Sequence, residues 1–62
     1  MTEQQFLDLK VGDMVIVDDR ACKVTRANIE YVNRTYSYVN VSHNGKPYKV
    51  VHFNRCKSIE KL

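Results

Sequence analysis

The dipeptide Asn44-Gly45 sits between two β-rich runs, Tyr36 to His43 and Lys46 to Phe53, and restricts the chain more than any other local feature. Asn-Gly is the strongest short-range mark of a two-residue type I′ turn, whose twist matches the strands it joins. With that turn in place, His43 faces Lys46, Ser42 faces Pro47, Val41 faces Tyr48, Val39 faces Val50, Tyr38 faces Val51 and Tyr36 faces Phe53. Directly opposed residues share a face of the sheet. One face is therefore expected to carry Val39, Val41, Tyr48 and Val50, and the other Tyr36, Tyr38, Asn40, Lys49, Val51 and Phe53. Pro47 falls at a non-hydrogen-bonded pair, where its missing N–H is tolerated if that side is an edge.

The rest of the chain reads as short elements joined by tight connections. Thr2 and Gln5 have capping-box spacing just before Phe6, Leu7 and Leu9, so residues 3–9 are expected to form a short helix. Lys10 to Asp13 ends it, with Gly12 supplying a permissive backbone. Met14 to Asp18 reads as a strand, and Asp18-Asp19-Arg20 as a tight turn of residues that tolerate positive φ. Ala21 to Asn28 alternates, with Cys22 and Val24 on one side and Lys23 and Thr25 on the other, the mark of a half-buried strand. Asn28 to Thr35 is the one longer connection, either a loop or strand extensions. Asn54 to Lys57 suits a turn or 3₁₀ segment, and Ser58 to Leu62 a last short strand carrying Ile59.

Sixty-two residues, 44% of them hydrophobic, allow one small domain over 1–62 and no deep cleft between lobes. Five short strands at this size point to an all-β fold, a small five-stranded barrel with a short N-terminal helical turn. The start, Met1-Thr2-Glu3-Gln4-Gln5, is polar and acidic, so a targeting segment is not expected. The longest apolar run, Met14 to Val17, is far short of the roughly 20 residues of a membrane-spanning helix. Two cysteines are too few for a disulfide scaffold, and a cytoplasmic, reduced protein is the expectation.

Certain residues resemble a known domain. Leu9-Lys10-Val11-Gly12-Asp13-Met14-Val15-Ile16-Val17-Asp18, then Arg20-Ala21-Cys22-Lys23-Val24, is similar to the opening of the N-terminal domain of the hypusine-carrying translation factor, a relative of elongation factor P. Gly45-Lys46-Pro47-Tyr48 and Val51-His52 resemble that family's next hairpin. The resemblance covers roughly residues 9–24 and 45–59 and implies an SH3-like barrel of the KOW kind, with a bias toward nucleic-acid machinery. The departures bear on function. The loop that carries the family's modified lysine reads here Arg26 to Thr35, with no Lys and no Gly, and Asp19 replaces the turn glycine. The 62 residues do not contain the family's second, OB-type domain. The translation factor's own activity is accordingly not expected.

Charge is unevenly spread. Residues 1–30 hold four cations and six carboxylates, a net of −2, whereas residues 31–62 hold six cations against Glu60 alone, a net of +5. The overall +3 conceals this split. The basic half also contains all four tyrosines. Cations release counterions from phosphates and rings stack on bases, so the pattern suits a nucleic-acid strand. The candidate contacts are Arg34, Lys46, Lys49, Arg55 and Lys57 for phosphates, with Tyr36 and Tyr38 as stacking platforms. RNA or DNA is the expected partner. The alternative is a protein-interaction module acting on a larger machine such as RNA polymerase or the ribosome, with the same aromatics as anchors.

Catalysis and metal binding find less in the residues. Cys22, His43, His52 and Cys56 invite a zinc reading, but only His52 and Cys56 are close in sequence, unlike the paired spacings of structural zinc sites. Cys22 alternates with core valines as a small buried hydrophobe does. No phosphate loop, paired-carboxylate motif or dinucleotide fingerprint occurs. A binding module without cofactor, metal or enzymatic activity is the expectation.

Overall fold

Asp18-Asp19 and Asn44-Gly45 both adopt left-handed backbone, at φ 53° and 61° and at φ 53° and 78°. Each reverses the chain without splaying the flanking strands. In this computed structural model, which describes residues 1–62, the first turn joins β1 (Met14–Val17) to β2 (Arg20–Asn28). The second joins β3 (Tyr38–His43) to β4 (Lys46–His52). β5 (Ile59–Lys61) returns to pair with β1, giving one antiparallel sheet in the order β4-β3-β2-β1-β5. A helix, α1 (Glu3–Leu7), and two 3₁₀ segments, Arg34–Tyr36 and Phe53–Ser58, complete a mostly β chain. No helix is long and apolar enough to cross a membrane.

The capping box forms as expected: Thr2 Oγ1 accepts the Gln5 N–H at 3.1 Å, and Gln5 Oε1 accepts the Thr2 N–H at 2.8 Å. The helix stops at Leu7, two residues short of the expected 3–9, yet Phe6, Leu7 and Leu9 all enter the core. They meet Val15, Val17, Cys22, Val24, Val39, Val41, Val51 and Ile59 of the sheet, and Phe53 and Cys56 of the second 3₁₀ segment. Both cysteines are buried and unbridged.

The expected register of the second hairpin is correct only beside its turn. His43 faces Lys46 and Ser42 faces Pro47, but Val41 then faces Lys49, Asn40 faces Val50, Val39 faces Val51 and Tyr38 faces His52. Tyr48 is the extra residue of a bulge between those two stretches. A bulge moves every later side chain of its strand to the other face. Val51 is consequently buried and Val50 is 46% exposed, the reverse of their expected placement. Tyr36 lies outside β3, in the first 3₁₀ segment, so it does not pair with Phe53 as a strand residue. A second bulge, at Thr25, shifts β2 against β3 and turns Ala27 rather than Arg26 toward the core.

These bulges flank Val41 on both sides and bend the sheet sharply. The chain from His52 to Ile59 must link the two outer strands through two short 3₁₀ turns kinked at Arg55, and seven steps at ~2 Å reach about 14 Å. A flat five-stranded sheet would separate those strands by about 19 Å. The sheet is therefore curled, but it is not closed: β4 and β5 share no hydrogen-bonded pairing. A seam runs between them, bridged by the Phe53–Ser58 segment.

Candidate functional site

The seam and the loop beside it collect most of the residues singled out from the sequence. A shallow groove of about 390 Å³ runs along β4 and is lined by Asp18, Lys49, His52, Arg55 and Ser58, among others. Curling brings Asp18, at the end of β1, across to β4. Its Oδ2 accepts the Tyr48 hydroxyl at 2.8 Å and pairs with Lys49 Nζ at 2.8 Å. The Lys49 and Tyr48 hydrogen bonds hold the Asp18 carboxyl below its ordinary value. The Asp18 hydrogen bond in turn raises the Lys49 ammonium and the Tyr48 phenol. Lys49, a candidate phosphate contact, is thus already engaged. At Lys49 the acidic first half of the sequence thus meets the basic second half.

Tyr48 is a crossing point. Its ring carries the Arg20 guanidinium at 5.2 Å and the Lys49 ammonium at 5.6 Å, both within cation–π range. Lys57 lies around the corner, in a groove of about 370 Å³ shared with Asp18, Asp19 and Glu60. Three carboxylates near one ammonium offset its field. Lys46 stands exposed at the foot of the hairpin, about 20 Å along β4 from His52 at the strand's rise per residue.

The other candidates gather at the far end of β4. Tyr38 pairs with His52, their ring centroids 6.0 Å apart, and Tyr38 is half-buried. Arg34 and Tyr36 occupy the first 3₁₀ segment, which packs against the second, where Arg55 is exposed. Tyr36 is 70% exposed. The structure thus brings Arg34, Tyr36, Tyr38 and Arg55 into one region, keeps Lys49 between the two ends, and sets Lys46 and Lys57 apart from it.

Two features of this region have little signal in the sequence. Ser37 is the one fully buried polar side chain; its hydroxyl accepts the Glu30 N–H at 2.8 Å and donates to the Glu30 carbonyl at 3.2 Å. Its carbonyl accepts the Phe53 N–H at 2.9 Å. One serine thereby closes the loop between β2 and β3 and ties it to the end of β4. Every residue from Glu30 to Tyr36 is exposed, including Tyr31 at 70% and Val32 at 94%. Tyr31 was legible only as one of four tyrosines in the basic half, because exposure on a clasped loop depends on Ser37.

No three His, Cys, Asp or Glu side chains come together as a metal ligand set. Cys22 donates its thiol to the Arg20 carbonyl at 3.4 Å, and the Ser58 hydroxyl donates to the Arg55 carbonyl at 2.7 Å. Comparison with protein-family models, with curated proteins and with solved structures returns no match.

Proposed function

We propose that the chain is a small non-catalytic binding module that holds RNA or DNA through the basic, tyrosine-containing face of its second half. The observation that carries this reading is the packing of the Arg34–Tyr36 segment against the segment that bears Arg55. An exposed ring and two guanidiniums on adjoining segments offer stacking and phosphate contact together. Arg34, Tyr36, Tyr38 and Arg55 form the centre, and Lys46, Lys49 and Lys57 contribute a weaker outer field. The fold is read as an SH3-like barrel of the KOW kind left open at the β4–β5 seam. The curl of the sheet and the meander of its first four strands support that reading. A binding role fits grooves that lie open to solvent and a buried Cys56 that no incoming substrate meets.

Oligonucleotide binding at low ionic strength tests the proposal. Two or three phosphate contacts to a single strand give a log–log salt slope between about −1.4 and −2.1. Absence of binding to both RNA and DNA at low salt sinks the reading.

Val32 favours a second reading. Val32, 94% exposed, shares its loop with Tyr31 and Tyr36, each 70% exposed, and three large hydrophobic side chains on one exposed loop suit a protein partner in the transcription or translation machinery. In that case a nuclease-treated pull-down recovers one stoichiometric protein, and Val32→Ser abolishes the recovery while oligonucleotide affinity stays unchanged.

A further inference from the structure

Of the four tyrosines, two already have ring partners. Tyr48 bonds Asp18 and carries Arg20 and Lys49, and Tyr38 is half-buried against His52. Tyr31 and Tyr36 are each 70% exposed. They lie near the two ends of the loop that Ser37 clasps to Glu30, and the loop is stiffened by bonds of its own. The Tyr36 N–H donates to the Asn33 carbonyl and the Ser37 N–H to the Arg34 carbonyl, each at 3.0 Å. A closed loop with internal hydrogen bonds loses little further freedom when a ligand settles on it.

Large exposed rings on a preorganised loop have a hydration cost that the core does not relieve, since neither ring joins the hydrophobic cluster. The structure therefore assigns this loop a single-strand selecting role, and we propose that Tyr31 and Tyr36 stack on unpaired bases. The inference rests on the nucleic-acid reading above and specifies which form of nucleic acid is bound. A duplex keeps its base faces inside its own stack and offers only phosphates, sugars and groove edges. Two exposed rings gain nothing from that surface. A single strand exposes base faces, and stacking on them is tolerant of sequence. Arg34, between the two tyrosines in sequence, and Arg55 on the adjoining segment supply the positive charge for the connecting phosphates. Glu30 is the one carboxylate of the loop and sits at its base, where its backbone is held by Ser37.

The test compares an oligouridylate with a blunt RNA duplex of matched length at low salt, using the full chain. The single strand is expected to bind more tightly. Tyr31→Ala and Tyr36→Ala are each expected to weaken its binding by roughly 5- to 150-fold. Tyr31→Phe and Tyr36→Phe retain the ring and are expected to keep affinity near that of the unaltered chain. The chain contains no tryptophan, so tyrosine emission reports stacking directly. Quenching on addition of unlabelled strand should shrink in the Tyr→Ala variants. Equal affinity for strand and duplex, or Tyr→Ala variants that bind as before, overturns the inference while leaving the nucleic-acid reading in place. Absence of any binding at low salt removes both. Because both side chains are mostly exposed, the alanine variants are expected to fold, which circular dichroism checks.

Discussion

Asp18 uses one carboxylate oxygen for two bonds, to the Tyr48 hydroxyl and the Lys49 ammonium, and all of this lies at the surface. An exposed pair of this kind contributes little alone. Its value lies in the elements it links, since Asp18 belongs to the β1–β2 turn and β1 and β4 are not paired in the sheet. The pH dependence has a definite sign. Asp18 titrates below 3.8 in the folded chain, so its contribution is complete above that value and is lost as pH falls through the lower folded value. Lys49 and Tyr48 titrate above 10.5 and 10.0, so their contributions are complete below those values and are lost as pH rises through the folded ones. Asp18→Asn is therefore expected to lower stability between about pH 5 and 9 and to converge with the unaltered chain in acid. Urea midpoints measured across pH check this; a difference that does not shrink as pH falls below 3.8 contradicts it. Asp19 makes a separate case. It holds φ 61° at the turn position where a type I′ turn prefers glycine, and its side chain makes no hydrogen bond. Aspartate tolerates left-handed backbone better than most residues, so the strain relieved is at the low end, about 1 kcal/mol, and glycine's chain-entropy cost of about 0.5–1 kcal/mol offsets much of it. Asp19→Gly should thus stabilise the chain by up to about 0.5 kcal/mol, and a lowered urea midpoint would rule that out.

Among the elements, β4 departs most from its simplest reading. Its bulge at Tyr48 exchanges the places of Val50 and Val51, and valine truncation reads out the difference. Val51→Ala is expected to cost about 2 kcal/mol and Val50→Ala less than about 0.5 kcal/mol. The opposite order would restore the regular register. The same strand shows how edges are managed. Lys46, Pro47, the Tyr48 bulge and Lys49 are successive obstacles to another strand, which makes β4 a poor template for strand addition. Turns were legible in the sequence because Asn44-Gly45 and Asp18-Asp19 carry their own backbone chemistry. The alternation of Cys22 and Val24 was legible for the same local reason. The bulges were not, since Thr25 and Tyr48 become extra residues only through pairing on both sides of β3. The site divides along the same line. Arg34, Tyr36 and Arg55 were visible by residue type, whereas the Ser37 clasp and the Asp18–Lys49 pair depend on contacts between segments distant in sequence.

At the scale of the whole molecule, a curled open sheet leaves its core accessible at the end unless something covers it. Phe6, wholly buried, meets Phe53 edge-to-face with ring centroids 5.9 Å apart and planes at 81°, so α1 closes the core against the segment that bridges the seam. Leu7 and Leu9 follow it inward. The binding surface proposed above depends on this closure, because Phe53 also donates its N–H to Ser37, whose hydroxyl holds the loop. A chain of 62 residues at the usual ~0.05–0.15 kcal/mol per residue has about 3–9 kcal/mol of total stability. Removing a buried phenylalanine side chain costs about 3–5 kcal/mol. Phe6→Ala is therefore expected to bring the chain close to its unfolding threshold, with a large fall in urea midpoint. Phe6→Leu, which keeps most of the volume, should lose far less. If α1 were an appendage, both variants would unfold at the midpoint of the unaltered chain. If it belongs to the single cooperative core, the order is unaltered chain, Phe6→Leu, Phe6→Ala. Oligonucleotide affinity at temperatures where Phe6→Ala begins to unfold should then fall in step with its folded fraction.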